Sequence, residues 1–235
     1  MDGPREFDLQ IWDATAGELL SRDLTECVRV LRDGGVVVIP TETVYGLACA
    51  LTNEAISALL SVKGRTPGKP LPVQIGHVSQ AGLVAAIPFN RAARLLSDRF
   101  WPGPLTLVVA AGRDLNPAVL GAGNSVGIRV PDHPVALQIL NCVGIPLVVT
   151  SANVSGQPAP ATLEGALCQL GARAIQGAID GGPSSLRIAS TVVDVRHGEL
   201  TILRQGAISA DRIYDVVRPH EAGGLRAPAG MSREN

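Results

Sequence analysis

The two lysines of this chain lie close together and could bind a polyanion. Lys63 and Lys69 are six positions apart in the segment KGRTPGK, with Arg65 between them, although eighteen of the twenty basic residues are arginines. An ammonium binds phosphate as a compact point charge, and a guanidinium adds a planar two-pronged donor. Three cations among glycine and proline residues therefore form a candidate clamp for a phosphate chain. The alternative is a solvated helix C-terminus, where the helix dipole favours any cation.

Polar residues also crowd at the ends of two predicted buried strands. In PTETVYGL (residues 40–47), two threonines and a glutamate follow the strand VVVI, and Tyr45 comes next. TSANVSG (residues 150–156) follows the strand IPLVV and brings Ser151 and Asn153. A polar turn would explain either segment alone, because Ser, Thr and Asn side chains readily bond their own backbone. Together with the cation cluster, they predict one anion site at strand ends.

Common nucleotide and hydrolase signatures do not account for this site. The chain has no GxxxxGK[ST] segment, because Pro70 follows Lys69, and GAGNSVG lacks the spacing of a dinucleotide-binding loop. GNSVG would formally make Ser125 a hydrolase nucleophile, but such an elbow needs a helix after it, and here the strand VGIRV follows. We therefore treat that match as a coincidence. The four histidines show no metal-ligand spacing, so we predict no metal site.

The composition predicts a soluble cytoplasmic protein without a uniformly basic surface. Hydrophobic residues make up 46% of the 235 residues and the formal net charge is −1, which argues against a disordered chain and against a basic coat for nucleic acid. Four cysteines without a CxxC pair suit a reducing compartment better than a disulfide or zinc scaffold. We find no signal peptide and no membrane-length apolar run, so we expect no membrane association.

Strand and helix patterns alternate irregularly along the chain, which predicts an α/β sheet of mixed direction. Apolar residues at helical spacing predict helices such as FNRAARLLSDRF and HPVALQIL, and runs such as LTLVVA predict buried strands. We divide the chain into an N-terminal extension (1–20), one domain (21–215) and a tail (216–235). The Gly, Pro and charge content of that tail predicts disorder.

Seven segments together resemble the YrdC/Sua5 family of L-threonylcarbamoyladenylate synthases. They occur in the order PTETVYGL, KGR…KPL, WPGPLTLV, VGIRVPDHP, TSANVSGQPAP, STVVDV and ILRQGAI, and cover residues 34–208. The chain is similar to the short, single-domain form of that family. The resemblance implies a YrdC-like twisted open mixed sheet with flanking helices and a concave electropositive groove.

The resemblance also implies a reaction. L-Threonine, bicarbonate or CO2, and ATP would give threonylcarbamoyl-AMP and pyrophosphate, with Mg²⁺ accompanying the ATP. A downstream tRNA threonylcarbamoyltransferase would then modify tRNAs reading ANN codons. Weak direct contact with tRNA is a further expectation from the resemblance. Because the carbamate oxygen attacks the α-phosphate directly, catalysis by the protein would consist of positioning and charge neutralisation.

The same resemblance assigns roles to fourteen residues of this sequence. Lys63 and Arg65 would be catalytic, and we expect both on an exposed loop. ATP would contact Lys63, Arg65, Lys69, Ser125, Ser151, Asn153 and Arg204. Threonine would contact Thr41, Thr43, Arg129, Ser190 and Gln74, with Tyr45 and Thr106 lining the site. Gln74 departs from the histidine that family members often have there, and an amide cannot change its charge near neutral pH.

Two other functions remain open from the sequence. A basic concave surface could bind double-stranded RNA or tRNA without catalysis, although aromatic residues for stacking make up only 3% of the chain. A YrdC-like domain also serves carbamoyl transfer in hydrogenase maturation. That system uses zinc-finger and acylphosphatase modules, for which this chain has neither CxxC pairs nor length.

Overall fold

Short apolar strands form one ten-stranded sheet in the computed structural model, which describes residues 9–66, 68–171, 174–197 and 199–218. The strands are β1 (Gln10–Asp13), β2 (Val37–Ile39), β3 (Gly46–Ala50), β4 (Val73–Gln74), β5 (Leu105–Ala110), β6 (Ser125–Arg129), β7 (Leu147–Ser151), β8 (Gly177–Asp180), β9 (Thr191–His197) and β10 (Glu199–Arg204). Their spatial order is β1-β8-β2-β3-β7-β4-β6-β5-β9-β10. Parallel and antiparallel pairs alternate irregularly, for example β5 with β9 and β5 with β6. The prediction of a mixed α/β sheet is confirmed.

In the described part of the chain, six α-helices flank the sheet. They are α1 (Ser21–Arg32), α2 (Asn53–Lys63), α3 (Arg91–Phe100), α4 (Pro134–Val143), α5 (Leu163–Leu170) and α6 (Ala210–Val217). Thr52 and Asn90 cap α2 and α3, because their side-chain oxygens accept hydrogen bonds from the backbone N–H three residues later. Gly64 ends α2 with a φ of 56°, a left-handed conformation that glycine adopts without strain.

The two faces of the sheet are covered unequally. On one face, α2, α3, α5 and α6 pack over inward-pointing residues from across the sheet, including Val38, Val73 and Val193. On the other face, α1 and α4 cover only the half formed by β1, β8, β2, β3 and β7. Strands β4, β6, β5, β9 and β10 contribute no residue to that second core. This half of the face is where the candidate site lies.

The N-terminal boundary of the domain differs from the prediction. Residues 10–13 pair in parallel with β8 as an edge strand, so the sheet begins inside the stretch that we assigned to an extension. Trp12 anchors this strand: it is 2% exposed, and its ring lies so close to Gly177 that a Cβ there would fall 2.3 Å from it. Only glycine therefore admits the indole.

The C-terminal boundary also moves by a few residues. Helix α6 continues to Val217, past the predicted end of the domain at residue 215. The predicted disorder of the tail from residue 219 onward concerns residues outside the described ranges. Within those ranges, no helix combines the length and apolar character that crossing a bilayer requires.

Candidate active site

A cavity of about 610 Å³ occupies the uncovered half of the sheet. Because side chains alternate along a strand, the residues that face it come at every second position. Strand β5 supplies Thr106 and Val108, and β6 supplies Ser125, Gly127 and Arg129. The residues between them point into the helix-covered core. The site is therefore built on rigid strands as well as on loops.

Eleven of the fourteen predicted site residues line this one cavity. They are Thr41, Thr43, Tyr45, Arg65, Gln74, Thr106, Ser125, Arg129, Ser151, Ser190 and Arg204. Lys63, Lys69 and Asn153 are not among the lining residues. The segments that carry the eleven are separated by up to 163 residues in the chain, from Thr41 to Arg204, and the sheet brings them together.

Arg129 is held from behind by a buried ion pair. Its Nη2 lies 2.7 Å from Oε1 of Glu42, and both side chains are less than a tenth exposed. The N–H does not point along this line, so the contact is a charge pair without a directed hydrogen bond. Nε donates to the carbonyl of Gly103, and Nη1 donates to Oγ1 of Thr43. The guanidinium is thus fixed in position, and it keeps N–H capacity for a ligand.

A second polar group joins β5, β9 and β10. The hydroxyls of Thr106 and Ser190 lie 2.8 Å apart, and Arg204 donates through Nη2 to both the carbonyl and the hydroxyl of Ser190. Burial lowers the pKa of Arg204, and repulsion from Arg129 lowers it further. Arg204 and Arg129 therefore lie close enough on this wall of the cavity to repel each other, while Glu42 pairs with Arg129 from behind.

Arg65 leads from the end of α2 into the cavity. Its Nη2 donates to the carbonyls of Lys69 and Pro70, which holds the side chain of Arg65 beside these two residues. Its Nε is buried, and no hydrogen-bond partner is found for it among the described residues. Burial lowers the pKa of this guanidinium. Lys69 itself is exposed and meets Arg65 only through its backbone.

Lys63 is buried, which contradicts the prediction of an exposed loop. It ends α2, is 2% exposed, and its Nζ donates to the carbonyl of Ser151 and to the carbonyl and Oδ1 of Asn153. All three acceptors are neutral. Burial, with repulsion from Arg65, lowers the pKa of Lys63 to about 8. The ammonium therefore links the end of β7, at Ser151, to the end of α2, which precedes Arg65.

Asn153 adds further hydrogen bonds to this link between β7 and α2. Its Nδ2 donates to the carbonyls of Val154 and Gln157, while its Oδ1 accepts from Lys63. The polar turn that we weighed for TSANVSG is therefore present, and it follows directly after Ser151, which ends β7 at the cavity wall.

Gln74 and Tyr45 differ in whether their side-chain polar atoms have hydrogen-bond partners. Gln74, at the end of β4, is 5% exposed, and its Oε1 has no partner among the described residues. Tyr45 donates to the carbonyl of Gly182 and accepts from the N–H of Gly181, and burial raises its pKa to about 12. Tyr45 therefore shapes a wall of the cavity, whereas Gln74 offers it a free acceptor.

Sequence reasoning missed three charged residues of this region. Asp194 and Arg196 line the cavity from β9, and Glu42 backs Arg129. The alternation in TVVDVRH was a usable signal, since it places Val192, Asp194 and Arg196 on one face. Nothing comparable in the sequence pairs Glu42 with an arginine 87 positions away.

The charged residues that line the cavity are mostly cationic. Among the described lining residues, four are arginines (Arg65, Arg129, Arg196 and Arg204) and one, Asp194, is acidic. The described ranges contain no group of three His, Cys, Asp or Glu side chains that could hold a metal ion. Ser125 begins a strand, not a helix, so the nucleophile-elbow geometry is absent at this residue.

Comparison with protein-family models matches residues 29–206 to the Sua5/YciO/YrdC model, whose description reads "Telomere recombination". This range includes every predicted site residue. The chain belongs to the Sua5/YciO/YrdC family. The resemblance found in the seven sequence segments is thereby confirmed.

Relatives within this family are named threonylcarbamoyl-AMP synthase. One, from Bacillus subtilis, is 37% identical over 93% of this chain and 62% of its own length. Another, from Vibrio cholerae, is 36% identical over 76% of this chain and 99% of its own length. The chain thus spans less than two thirds of the Bacillus relative and nearly all of the Vibrio one.

A solved structure shares the fold. Pyrococcus abyssi Sua5, crystallised with L-threonine, superposes with a TM-score of 0.82 and 29% identity over 94% of this chain and 66% of that one. The predicted YrdC-like mixed sheet with flanking helices is confirmed by this match.

Proposed function

We propose that this protein synthesises L-threonylcarbamoyl-AMP from L-threonine, bicarbonate or CO2, and ATP, with release of pyrophosphate. The observation that carries the proposal is the convergence of Arg65 and Arg129 on one cavity. Arg65 has a buried Nε without a hydrogen-bond partner among the described residues, and the Arg129 guanidinium is fixed by Glu42, Gly103 and Thr43. One guanidinium suits a carboxylate and the other a phosphate chain. A cavity of about 610 Å³ has the size of a small-molecule site.

The amino acid is assigned to the side of Arg129. The fixed guanidinium would take the carboxylate, with the hydroxyls of Thr43 and Ser190 nearby in the same lining. Gln74 Oε1 needs a donor, and the hydroxyl and amine of threonine are donors. The crystal structure of Pyrococcus abyssi Sua5 with L-threonine supports the choice of threonine as the amino acid.

ATP is assigned to the side of Arg65, Ser125, Ser151 and Arg204. The carbamate formed from the threonine amine and CO2 attacks the α-phosphate through an oxygen, and the bond to pyrophosphate breaks. Charge that develops on the leaving pyrophosphate would be balanced by Arg65, whose Nε is unpaired and buried. Lys63 would act by holding Ser151 in place, since its ammonium donates to the carbonyls of Ser151 and Asn153.

Magnesium is assigned to the nucleotide in this proposal. Asp194 is the one acidic residue of the described lining, and Arg196 holds its carboxylate. Since Mg²⁺ in phosphate sites takes most of its ligands from phosphate and water, the cavity needs to supply no cage of its own.

A small-molecule site is favoured over an RNA-binding groove. Tyr45 is the one aromatic residue in the described lining, and it is fully buried, so it offers no stacking platform. The product would pass in the cytoplasm to a downstream transferase that modifies tRNA, and direct tRNA contact stays a prediction.

Turnover by purified protein tests the proposal. With ATP, Mg²⁺, bicarbonate and L-threonine, we expect pyrophosphate release and a threonylcarbamoyl-AMP product seen by mass spectrometry. Serine in place of threonine, and omission of bicarbonate, serve as controls. Pyrophosphate release that ignores both omissions, or none at all from folded protein, would contradict the assignment.

Arg65→Ala tests the phosphate role of this residue. We expect turnover to fall by about a hundredfold or more, because one preorganised donor to developing charge is worth that much. The melting temperature should change little, since Arg65 is half-exposed and bonds only carbonyls of its own loop. Arg113→Ala, at an exposed position outside the cavity lining, is the matched control. Full activity of Arg65→Ala would remove the residue from the mechanism.

A further inference from the structure

Arg196 grips a glycine turn at the wall of the cavity. The turn comprises residues 121–125 (GAGNS), closes with a backbone bond from Gly121 to Ser125, and has positive φ values at Gly123 and Asn124. Nη1 of Arg196 donates to the carbonyls of Ala122 and Gly123 at 2.8 and 3.2 Å. A Cβ on Gly123 would lie 2.8 Å from that nitrogen. The arginine is therefore in close contact with the turn backbone.

Asp194 orients Arg196 from the same strand. Its carboxylate accepts from Nε and Nη2 of Arg196 and from the Arg196 backbone N–H, at 2.7 to 3.2 Å. Both side chains are only about an eighth exposed. All three nitrogens of the guanidinium thus bond partners that are fixed by β9 or belong to the turn. The pKa of Arg196 is raised, mainly by its hydrogen bond to Asp194.

The glycine turn lies beside Pro70, and Pro70 is hydrogen-bonded to Arg65. A Cβ on Gly121 would lie 2.7 Å from Oγ of Ser125 and 3.6 Å from Pro70. The carbonyl of Pro70 accepts from Arg65. Hydrogen bonds therefore link Asp194 to Arg196 and Arg196 to the glycine turn, and this turn lies beside Pro70, whose carbonyl accepts from Arg65.

We propose that Arg196 is a positioning residue for the nucleotide half of the site, where it holds the glycine turn so that Ser125 and Arg65 are set for ATP. This inference rests on the proposed function for its kinetic consequence, though not for its structural one. Threonine, assigned to Arg129, lies outside the chain of contacts. Loss of Arg196 therefore affects ATP selectively.

The guanidinium is required for this task because it bonds in two directions at once. One edge meets a carboxylate, and Nη1 meets two carbonyls. A lysine ammonium is a point charge that cannot span both sets of acceptors from one fixed orientation. Arg196→Lys should therefore behave like Arg196→Gln.

The test combines hydrogen exchange with steady-state kinetics on the full chain. In Arg196→Gln and Arg196→Lys, we expect amides of residues 121–125 to exchange at least about tenfold faster. The KM for ATP should rise about tenfold or more, with the KM for threonine within about twofold of wild type. Arg113→Gln is the control. If Arg196→Gln alone does not fold, the neutral pair Arg196→Gln with Asp194→Asn removes the grip and the carboxylate charge together.

The outcomes separate the two claims. Unchanged exchange in the turn overturns the positioning role, whatever the enzyme does. Faster exchange with an unchanged KM for ATP, or with equal rises in both KM values, also overturns it. If wild-type protein makes no product, the proposed function fails, and faster exchange in the variants still supports the grip of Arg196 on the turn.

Discussion

One face of the sheet has two different halves: helices cover one, and the other lines the cavity. Under α1 and α4, the strands present apolar side chains. Val37, Ile39 and Ile179 pack in one core with Leu31 and Ile139 of the helices. Beyond β7, no helix from the described part of the chain contributes to the core on this face, and the strands present Thr106, Ser125, Arg129 and Asp194. Both halves share one backbone and one opposite core. The difference shows that the site is made by leaving half of the face uncovered and filling it with polar side chains.

Arg129→Met should have the largest effect and falls on the uncovered half. It leaves the Glu42 carboxylate buried without a counter-charge, so we expect the free energy of unfolding to fall by about 3–5 kcal/mol. Urea denaturation measures this loss, and calorimetric titration of threonine should show no binding. The double variant Arg129→Met with Glu42→Gln should regain part of the stability and none of the binding. Equal stability of the single and double variants would mean that the ion pair does not couple the two residues.

Leu31→Ala makes the corresponding change under the covered half. Leu31 is fully buried between α1 and the sheet, and such truncations lower the free energy of unfolding by about 2–5 kcal/mol. KM values for threonine and ATP should stay at those of wild type in protein that remains folded, because the residue lies outside the cavity lining. A raised KM for either substrate would show that the two halves are not independent.

The pH dependence of Lys63 is the smallest effect. Its folded pKa of about 8 lies below the ordinary 10.5, so burial of the charged form destabilises the fold fully below pH 8. That destabilisation fades as the pH rises from 8 to 10.5, where the unfolded chain also loses the proton. The stability of wild type relative to Lys63→Met should therefore increase from pH 7 to pH 10, as urea midpoints would show. If the stability of wild type relative to Lys63→Met does not change with pH, the ammonium is as solvated in the folded protein as in the unfolded chain. If it decreases with pH, the folded pKa of Lys63 is raised and not lowered.

Most of the architecture was predictable from local pattern, and the exceptions have physical reasons. Strands such as LTLVVA and helices such as HPVALQIL follow from their apolar spacing and were found at β5 and α4. Strand β1 was missed because a four-residue edge strand, QIWD, carries little periodic signal. Helix α6 was missed because only Ile213 of its residues is fully buried.

Prediction of the site succeeded for residue types and failed for their surroundings. Hydroxyls and cations at strand ends pointed to an anion site, and most of them line one cavity. The burial of Lys63 was not predictable, because it depends on carbonyls about 90 positions away. The Glu42–Arg129 pair is hidden for the same reason, since contacts across the sheet leave no trace in local sequence.

A crystal structure of the protein with L-threonine and a non-hydrolysable ATP analogue tests the central claim most directly. We expect both ligands on the uncovered half of the sheet, with the threonine carboxylate on Arg129 and the triphosphate on Arg65. Difference density for either ligand on the helix-covered face, or with Arg129 and Arg65 outside contact distance, would contradict it.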